Sequence, residues 1–246
     1  MKNLFFIPLI MGVGVGVCSC NIGNSGNYEN FSTPAVVNYK ENMGGTVVGT
    51  PIGFLATPSI NDVFTGDCIY IVDGLLDYDN QPTDKYLTAT NIVKENVDQS
   101  YLEIRETDDL ENYILPISDL YAAPAMSEFF MGRIFVYPIC KDQNPSFRLI
   151  YNSKEQEFNG IKNLYLQGRP SASSESKEYV SISAFNLSYF VYSQGRDTTI
   201  TMAATSEKVE YKYMKVNLKY PSNISKDGIP EYSTYAGPYT IFMFKN

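Results

Sequence analysis

Residues 208–220, KVEYKYMKVNLKY, decide how this chain folds. Apolar side chains fall on every second position, Val209, Tyr211 and Tyr213, and the alternation restarts one step out of phase at Val216, Leu218 and Tyr220. A period of two is the signature of a strand with one buried face. A slip in phase moves the buried set to the other face, so it predicts a bulge or a crossing between sheets. Residues 180–192, VSISAFNLSYFVY, show the same slip, from Val180, Ile182 and Ala184 to Phe185, Leu187, Tyr189 and Val191. Long bent strands of this kind belong to sandwiches and barrels.

Outward from these two runs the chain stays strand-like. Further β-rich stretches lie at 46–48, 68–76, 86–97, 101–105, 133–140, 147–151, 163–167, 198–203 and 240–244. Turn signals separate them, among them Gly44-Gly45, Thr57-Pro58-Ser59, Thr65-Gly66-Asp67, Asp79-Asn80-Gln81-Pro82, Asn159-Gly160 and Lys226-Asp227-Gly228. Helical evidence is thin: 111–120 is interrupted by Pro116, and 126–131 is short. The expectation is an all-β protein with a seam at 116–124, PISDLYAAP. About five strands precede the seam, the count of a small Greek-key, OB-like barrel over 35–117. About six follow it, enough for a C-terminal β-sandwich over 125–246.

The first twenty residues supply an address. After Lys2 and Asn3 the run 4–17 is apolar apart from glycines, and Val17-Cys18-Ser19-Cys20 closes it. That run is too short to span a bilayer and reads as a secretory signal peptide, residues 1–19. Its ending resembles a bacterial lipobox, with Ser19 directly before Cys20 and Val17 third back, whereas Cys18 fits poorly. The expectation is lipidation at Cys20, then a flexible Gly/Asn-rich tether ending at residue 34. Removing Lys2 with the signal leaves 18 Lys+Arg against 27 Asp+Glu, a net charge of −9. Nucleic-acid binding needs a basic face, so this balance argues against it. The acyl chains on Cys20 then supply the contact with the membrane, since stable anchoring takes about two of them.

The chain has no His and no Trp. Lacking His, it has no Ser-His-Asp or Cys-His nucleophile and lacks the commonest zinc ligand. Asp73, Asp77, Asp79, Asn80 and Asp84 crowd one turn, but without the spacing, Gly and bidentate Glu of a calcium loop. They read as turn formers. Ser174-Glu175-Ser176-Lys177 matches S-x-x-K in a Ser-rich stretch with no helix to carry the lysine round, and the companion motifs are missing. A carboxylate pair of the glycosidase kind needs no His, and Asp67, Asp73, Glu103 and Glu178 are the acids nearest apolar runs. They are expected to be scattered. Cys68 and Cys140 are the thiols left after the signal and could form a disulfide, while two separate buried thiols is the favoured reading. Asp197-Thr198-Thr199 matches a short D-[ST]-x glycosylation pattern at Thr198, expected in a loop between strands. No metal site, catalytic residue or cofactor is implied.

Gly66-Asp67-Cys68-Ile69-Tyr70-Ile71-Val72, Leu76-Asp77-Tyr78-Asp79-Asn80, residues 86–91 and Arg148-Leu149-Ile150-Tyr151, set behind a lipobox, resemble the NigD-like lipoproteins of Bacteroidales. The resemblance implies a barrel followed by a sandwich and a Gram-negative cell-envelope location, and carries no chemistry. Asn21-Ile22-Gly23-Asn24 lacks the acidic residues that usually accompany surface export in that phylum, which favours the periplasmic face. The function expected is a non-catalytic binding or interaction module, not an enzyme, whose partner is an envelope protein or glycan. Two alternatives remain: a fimbrial subunit or anchor assembling by strand donation, and a glycan-binding lipoprotein. A fimbrial subunit usually needs a basic cleavage site ahead of the donated strand, and the first basic residue after the tether is Lys40.

Overall fold

In the computed structural model, residues 27–40, 45–51, 53–56, 69–80, 86–106, 113–122, 131–171, 174–201, 208–235 and 237–245 are described. The first five strands are β1 (Tyr28–Lys40), β2 (Gly45–Thr50), β3 (Gly53–Ala56), β4 (Ile69–Asp77) and β5 (Tyr86–Asn96). They close into a barrel in the order β1-β2-β3-β5-β4 and back to β1. Only β3 and β5 pair in parallel among them. Closure depends on the length of β1. Its residues from Tyr28 to Val36 pair with β4, and those from Val36 to Lys40 pair with β2. Ala35, Val37, Val48, Leu55, Tyr70, Val72, Leu76 and Ala89 fill the interior.

The remaining strands form two sheets. One has five strands: β6 (Gln99–Tyr101), β8 (Asp119–Ala122), β9 (Arg133–Asp142), β12 (Ser174–Val180) and β13 (Ser183–Asn186). The other has seven: β7 (Glu103–Arg105), β10 (Ser146–Asn152), β11 (Ile161–Arg169), β14 (Arg196–Thr201), β15 (Lys208–Ile224), β16 (Pro230–Thr234) and β17 (Tyr239–Phe244). A single apolar cluster draws on both, with Leu120, Ile134, Val136 and Phe185 from the first and Leu149, Leu164, Leu166, Val216 and Leu218 from the second. A smaller cluster joins barrel and five-stranded sheet: Val36 packs with Met131, Phe135, Tyr137 and Ala184. Burial there pushes the Tyr137 phenol up to about 12.

The phase slip in 208–220 has a clear cause. β15 pairs with β14 through Tyr213 and with β11 from Lys215 onward, so its neighbour on one edge changes where the phase changes. Tyr211 is buried before the change, and Met214, Val216 and Leu218 after it. Residues 180–192 fold otherwise than expected. Val180 ends β12, β13 follows, and Ser188–Gln194 is a helix, α1. Leu187, Phe190 and Val191, at spacings of three and four, are buried, whereas Tyr189 and Tyr192 are 80% and 54% exposed. Helical spacing thus sorts these side chains better than alternation does. The Asn186 side chain accepts hydrogen bonds from the Ser188 backbone N–H and hydroxyl, at 2.9 and 2.6 Å, and fixes the helix start.

Two boundaries also move. The tether expected to end at residue 34 ends earlier, because β1 begins at Tyr28 and runs opposite Asp77 of β4. The seam expected at 116–124, between units 35–117 and 125–246, is stitched into both sheets. Leu115 N–H donates to Gly168 O at 2.9 Å, Ile117 N–H to Pro221 O at 2.8 Å and Ser118 N–H to Ile139 O at 2.7 Å. Residues 116–122 are thus bonded into the sheets, while 123 and 124 lie outside the described residues. The change of architecture lies at 97–98: β6 belongs to the five-stranded sheet and β7 to the seven-stranded one, with only Leu102 between them.

Gly195 closes α1 in a space that admits no side chain. A Cβ there would stand 2.3 Å from Val191 O and 3.0 Å from Tyr213 O, both rigid backbone. At Gly74 a Cβ would meet the Phe31 ring at 2.9 Å, which can tilt away. Gly195→Ala should therefore destabilise by about 2–3 kcal/mol and Gly74→Ala by about 1 kcal/mol. Thermal unfolding, where 1 kcal/mol moves Tm by about 2–4 °C at this size, checks the ranking.

Candidate binding cleft on the barrel wall

A register shift between β4 and β5 opens the barrel wall. Asp73 opposes Val93, but Leu75 opposes Thr90, so β5 carries one extra residue opposite Gly74. Asn91 absorbs it with a φ of 53°, a left-handed conformation that Asn tolerates better than most residues. Across the other edge of β4, Phe31 of β1 lies in register with Gly74, and its ring occupies the space the glycine leaves. The result is an open cleft of about 600 Å³ lined by Asn30, Phe31, Ser32, Asp73, Gly74, Leu75 and Asn91. The lining combines two carboxamides, a hydroxyl and one carboxylate with the apolar Phe31 and Leu75, of which Phe31 also packs against the barrel core. Asp73 is the one carboxylate among the described lining residues.

The other acids singled out in the sequence do not meet there. Glu103, on β7, accepts from Arg105 Nε at 2.8 Å, and Glu178 lies in β12, so Asp73, Glu103 and Glu178 occupy three different sheets. Asp67 and Asp84 lie outside the described residues. Asp77 and Asp79 serve the turn: Asp77 Oδ1 accepts from Asp79 N–H at 3.1 Å, and Asp79 Oδ2 from Asn27 N–H at 2.8 Å. Tyr78–Asn80 form a single 3-10 turn there.

Ser174–Val180 is strand β12, whereas a Ser/Lys nucleophile of the S-x-x-K kind needs a helix to carry the lysine round to the serine. Cys140 is a buried free thiol 3.7 Å from Asp142 O, and burial pushes its ionisation up, so it is a poor nucleophile. Cys20 and Cys68 lie outside the described residues. Thr198, expected in a loop, lies within β14 opposite Tyr211, in the β-branched run Thr198-Thr199-Ile200-Thr201. Asp197 beside it binds Lys212 and Lys245, each at 3.1 Å.

Polar networks on the seven-stranded sheet are closed upon themselves. Glu155 accepts from the Tyr165 hydroxyl at 2.9 Å and from Asn163 Nδ2 at 2.6 Å, with Lys219 at 3.9 Å. Arg148 lies 3.7 Å from the centre of the Tyr113 ring and donates to Gln167 at 2.9 Å, and Gln167 donates to Tyr232 at 3.1 Å. Lys162, nearly buried, is paired with Glu157, and the Tyr151 hydroxyl also donates to Glu157, at 3.1 Å. Among the described residues every buried side-chain nitrogen or oxygen has a partner. These groups are engaged in holding the sheet.

The cleft residues Asn30, Ser32 and Asn91 were not anticipated. An Asn inside the β-rich run 86–97 was the one available signal, since Asn in a strand interior often marks a left-handed kink.

No protein-family model matches the sequence, and no curated protein matches it. Solved structures do align. An uncharacterised protein from Parabacteroides merdae superposes with a TM-score of 0.61 at 16% identity over 86% of this chain and 98% of its own. A candidate lipoprotein from Bacteroides fragilis gives 0.54 at 12% identity over 89% and 99%. A NigD-like immunity protein from Bacteroides caccae, bearing the family name to which the sequence resemblance pointed, gives 0.45 at 12% over 85% and 93%. The first two show that this chain shares their all-β fold along nearly its whole length.

The hydrogen bond from Lys162 holds the Glu157 carboxyl below the usual carboxylate range, against an opposing push from partial burial. A carboxyl depressed in the folded state adds stability above its unfolded value, about 4.3, and the gain is lost as pH falls through the folded value. Glu157→Gln should lower stability at pH 7 by about 1–3 kcal/mol, because it leaves Lys162 short of a charged partner. The difference from the parent should shrink as pH falls below about 4, which urea unfolding across pH checks.

Proposed function

We propose that the chain is an exported lipoprotein, anchored through Cys20 at the periplasmic face of a Gram-negative envelope, that acts as a non-catalytic binding module. The cleft on the barrel wall carries this reading: it offers hydrogen-bonding groups beside apolar side chains, and its described lining residues include a single carboxylate. The ring order β1-β2-β3-β5-β4 supports an OB-like barrel, an architecture whose surface binds extended polymers. The core shared by the five- and seven-stranded sheets supports a β-sandwich for the rest. The lipobox supports the anchor.

The same cleft favours a glycan as the ligand. Asn30, Asn91, Ser32 and Asp73 present donors and acceptors suited to vicinal hydroxyls, and Phe31 offers an apolar surface to a sugar ring. Strand donation of the fimbrial kind fits poorly. Cleavage after Lys40 would remove β1, whose Ala35, Val36 and Val37 are fully buried and which closes the barrel.

Two measurements test the reading. Cys20→Ala should move the protein from the membrane pellet to the soluble envelope fraction, and Cys18→Ala should leave it in the pellet; the reverse pattern would overturn the anchor assignment. On an array of neutral oligosaccharides, the mature body should retain a subset that Asp73→Ala combined with Asn91→Ala weakens about tenfold, equal to about 1.4 kcal/mol. Retention unchanged by the double variant would remove the cleft from the function.

A further inference from the structure

We infer that the end of the barrel carrying Tyr28 and Tyr78 lies against a bilayer surface of zwitterionic headgroups; this rests on lipidation at Cys20. The argument starts from chain length. Asn27 is fixed to the barrel, its N–H donating to Asp79 Oδ2 at 2.8 Å and its carbonyl accepting from Tyr78 N–H at 2.9 Å. Seven residue steps separate Cys20 from Asn27. Even at full extension of about 3.6 Å per residue they reach about 25 Å, less than the thickness of a bilayer. The anchor therefore confines this end of the barrel close to the headgroups.

The surface at that end suits the place. Tyr28 is 47% exposed and Tyr78 44% exposed, and both lie at the end of the barrel where β1 begins and β4 ends. Tyrosine, with an apolar ring and a polar tip, is favoured at the membrane–water interface. Asp77 is 5% exposed, while the two exposed acids are hydrogen-bonded, Glu29 accepting from the Tyr78 hydroxyl at 2.5 Å and Asp79 from the Asn27 N–H at 2.8 Å. Residues 27–31 and 77–80 contain no Lys or Arg, so nothing in them attracts anionic lipid. The headgroups that suit this surface are zwitterionic.

The rest of the molecule points away. Val36, which joins the barrel to the five-stranded sheet, lies eight residues along β1 from Tyr28, about 27 Å at ~3.4 Å per residue. The barrel thus stands between bilayer and sheets. The cleft, lined by Asn30 and Ser32, opens close to the bilayer.

The natural chain has no Trp, so single substitutions give unambiguous reporters. The full-length lipidated protein, as Tyr28→Trp, Tyr78→Trp or Tyr189→Trp, would be reconstituted into phosphatidylcholine vesicles doped with lipid brominated near the acyl carbonyl. Tryptophan at 28 and at 78 should be quenched about twofold or more beyond tryptophan at 189, on the distal helix. Equal quenching at all three positions, or none at 28 and 78 in protein that floats with the vesicles, would overturn the orientation while leaving the anchor intact. Protein that carries no lipid by mass and does not float would overturn both.

Discussion

Val36 leaves β1 on the outer side of the barrel and packs without exposed surface against Met131, Phe135, Tyr137 and Ala184, while Ala35 and Val37 beside it fill the barrel interior. A strand ordinarily has one dry face. Here three successive residues are buried on alternate sides, and full burial of one valine side chain alone is worth about 1.5–3 kcal/mol. The same strand supplies two edges to the ring, one to β2 and one to β4, with the change at Val36. Closing the barrel and attaching it to the sheets are therefore one constraint, met by one tripeptide. A barrel that lost β1 would also lose its Val36 contact with the five-stranded sheet.

How much of this was legible depends on whether the signal was local. The phase slip in 208–220 survived into the fold because it reports a change of neighbour along one strand, and a slip in alternation is how such a change is written in sequence. Residues 180–192 misled because period two and period 3.6 agree for a few positions. Leu187 and Val191 satisfy both, and only the exposure of Tyr189 against the burial of Phe190 separates them. The seam at 116–124 failed for another reason. Pro and Ala describe a backbone that bends, but not whether its N–H groups find carbonyls in Gly168, Pro221 and Ile139, which are 21 to 104 residues away in sequence. Pairing at that range leaves no trace in local composition, and neither does the passage from β6 to β7 across Leu102.

The chemistry was more legible in what it excluded than in what it located. Without His, the polar side chains that remain are Asp, Glu, Lys, Arg, Tyr, Asn, Gln, Ser and Thr, and the structure spends most of the described buried ones on one another. Lys162 with Glu157, Arg148 with Gln167 and Glu155 with Tyr165 are closed sets, costly to break and unsuited to proton transfer with an outside molecule. The cleft differs because it arises from a backbone irregularity. One extra residue in β5, a glycine in β4 and a phenylalanine in β1 create it together, and no two of them are neighbours in sequence. A feature made by register is invisible until the register is known.

The bulge also links position to use. The wall opens at Gly74 and Asn91, near the end of the barrel where Asn27 is tied to Asp79, and far along β1 from the contact with the sheets. The proposed anchor at Cys20, seven residue steps from that end, would bring the cleft to the membrane, where a ligand held in two dimensions is met at higher local concentration than one free in solution. Under that geometry even a shallow cleft with few polar groups suffices to hold a tethered polymer. A tight pocket would be needed only for a freely diffusing ligand.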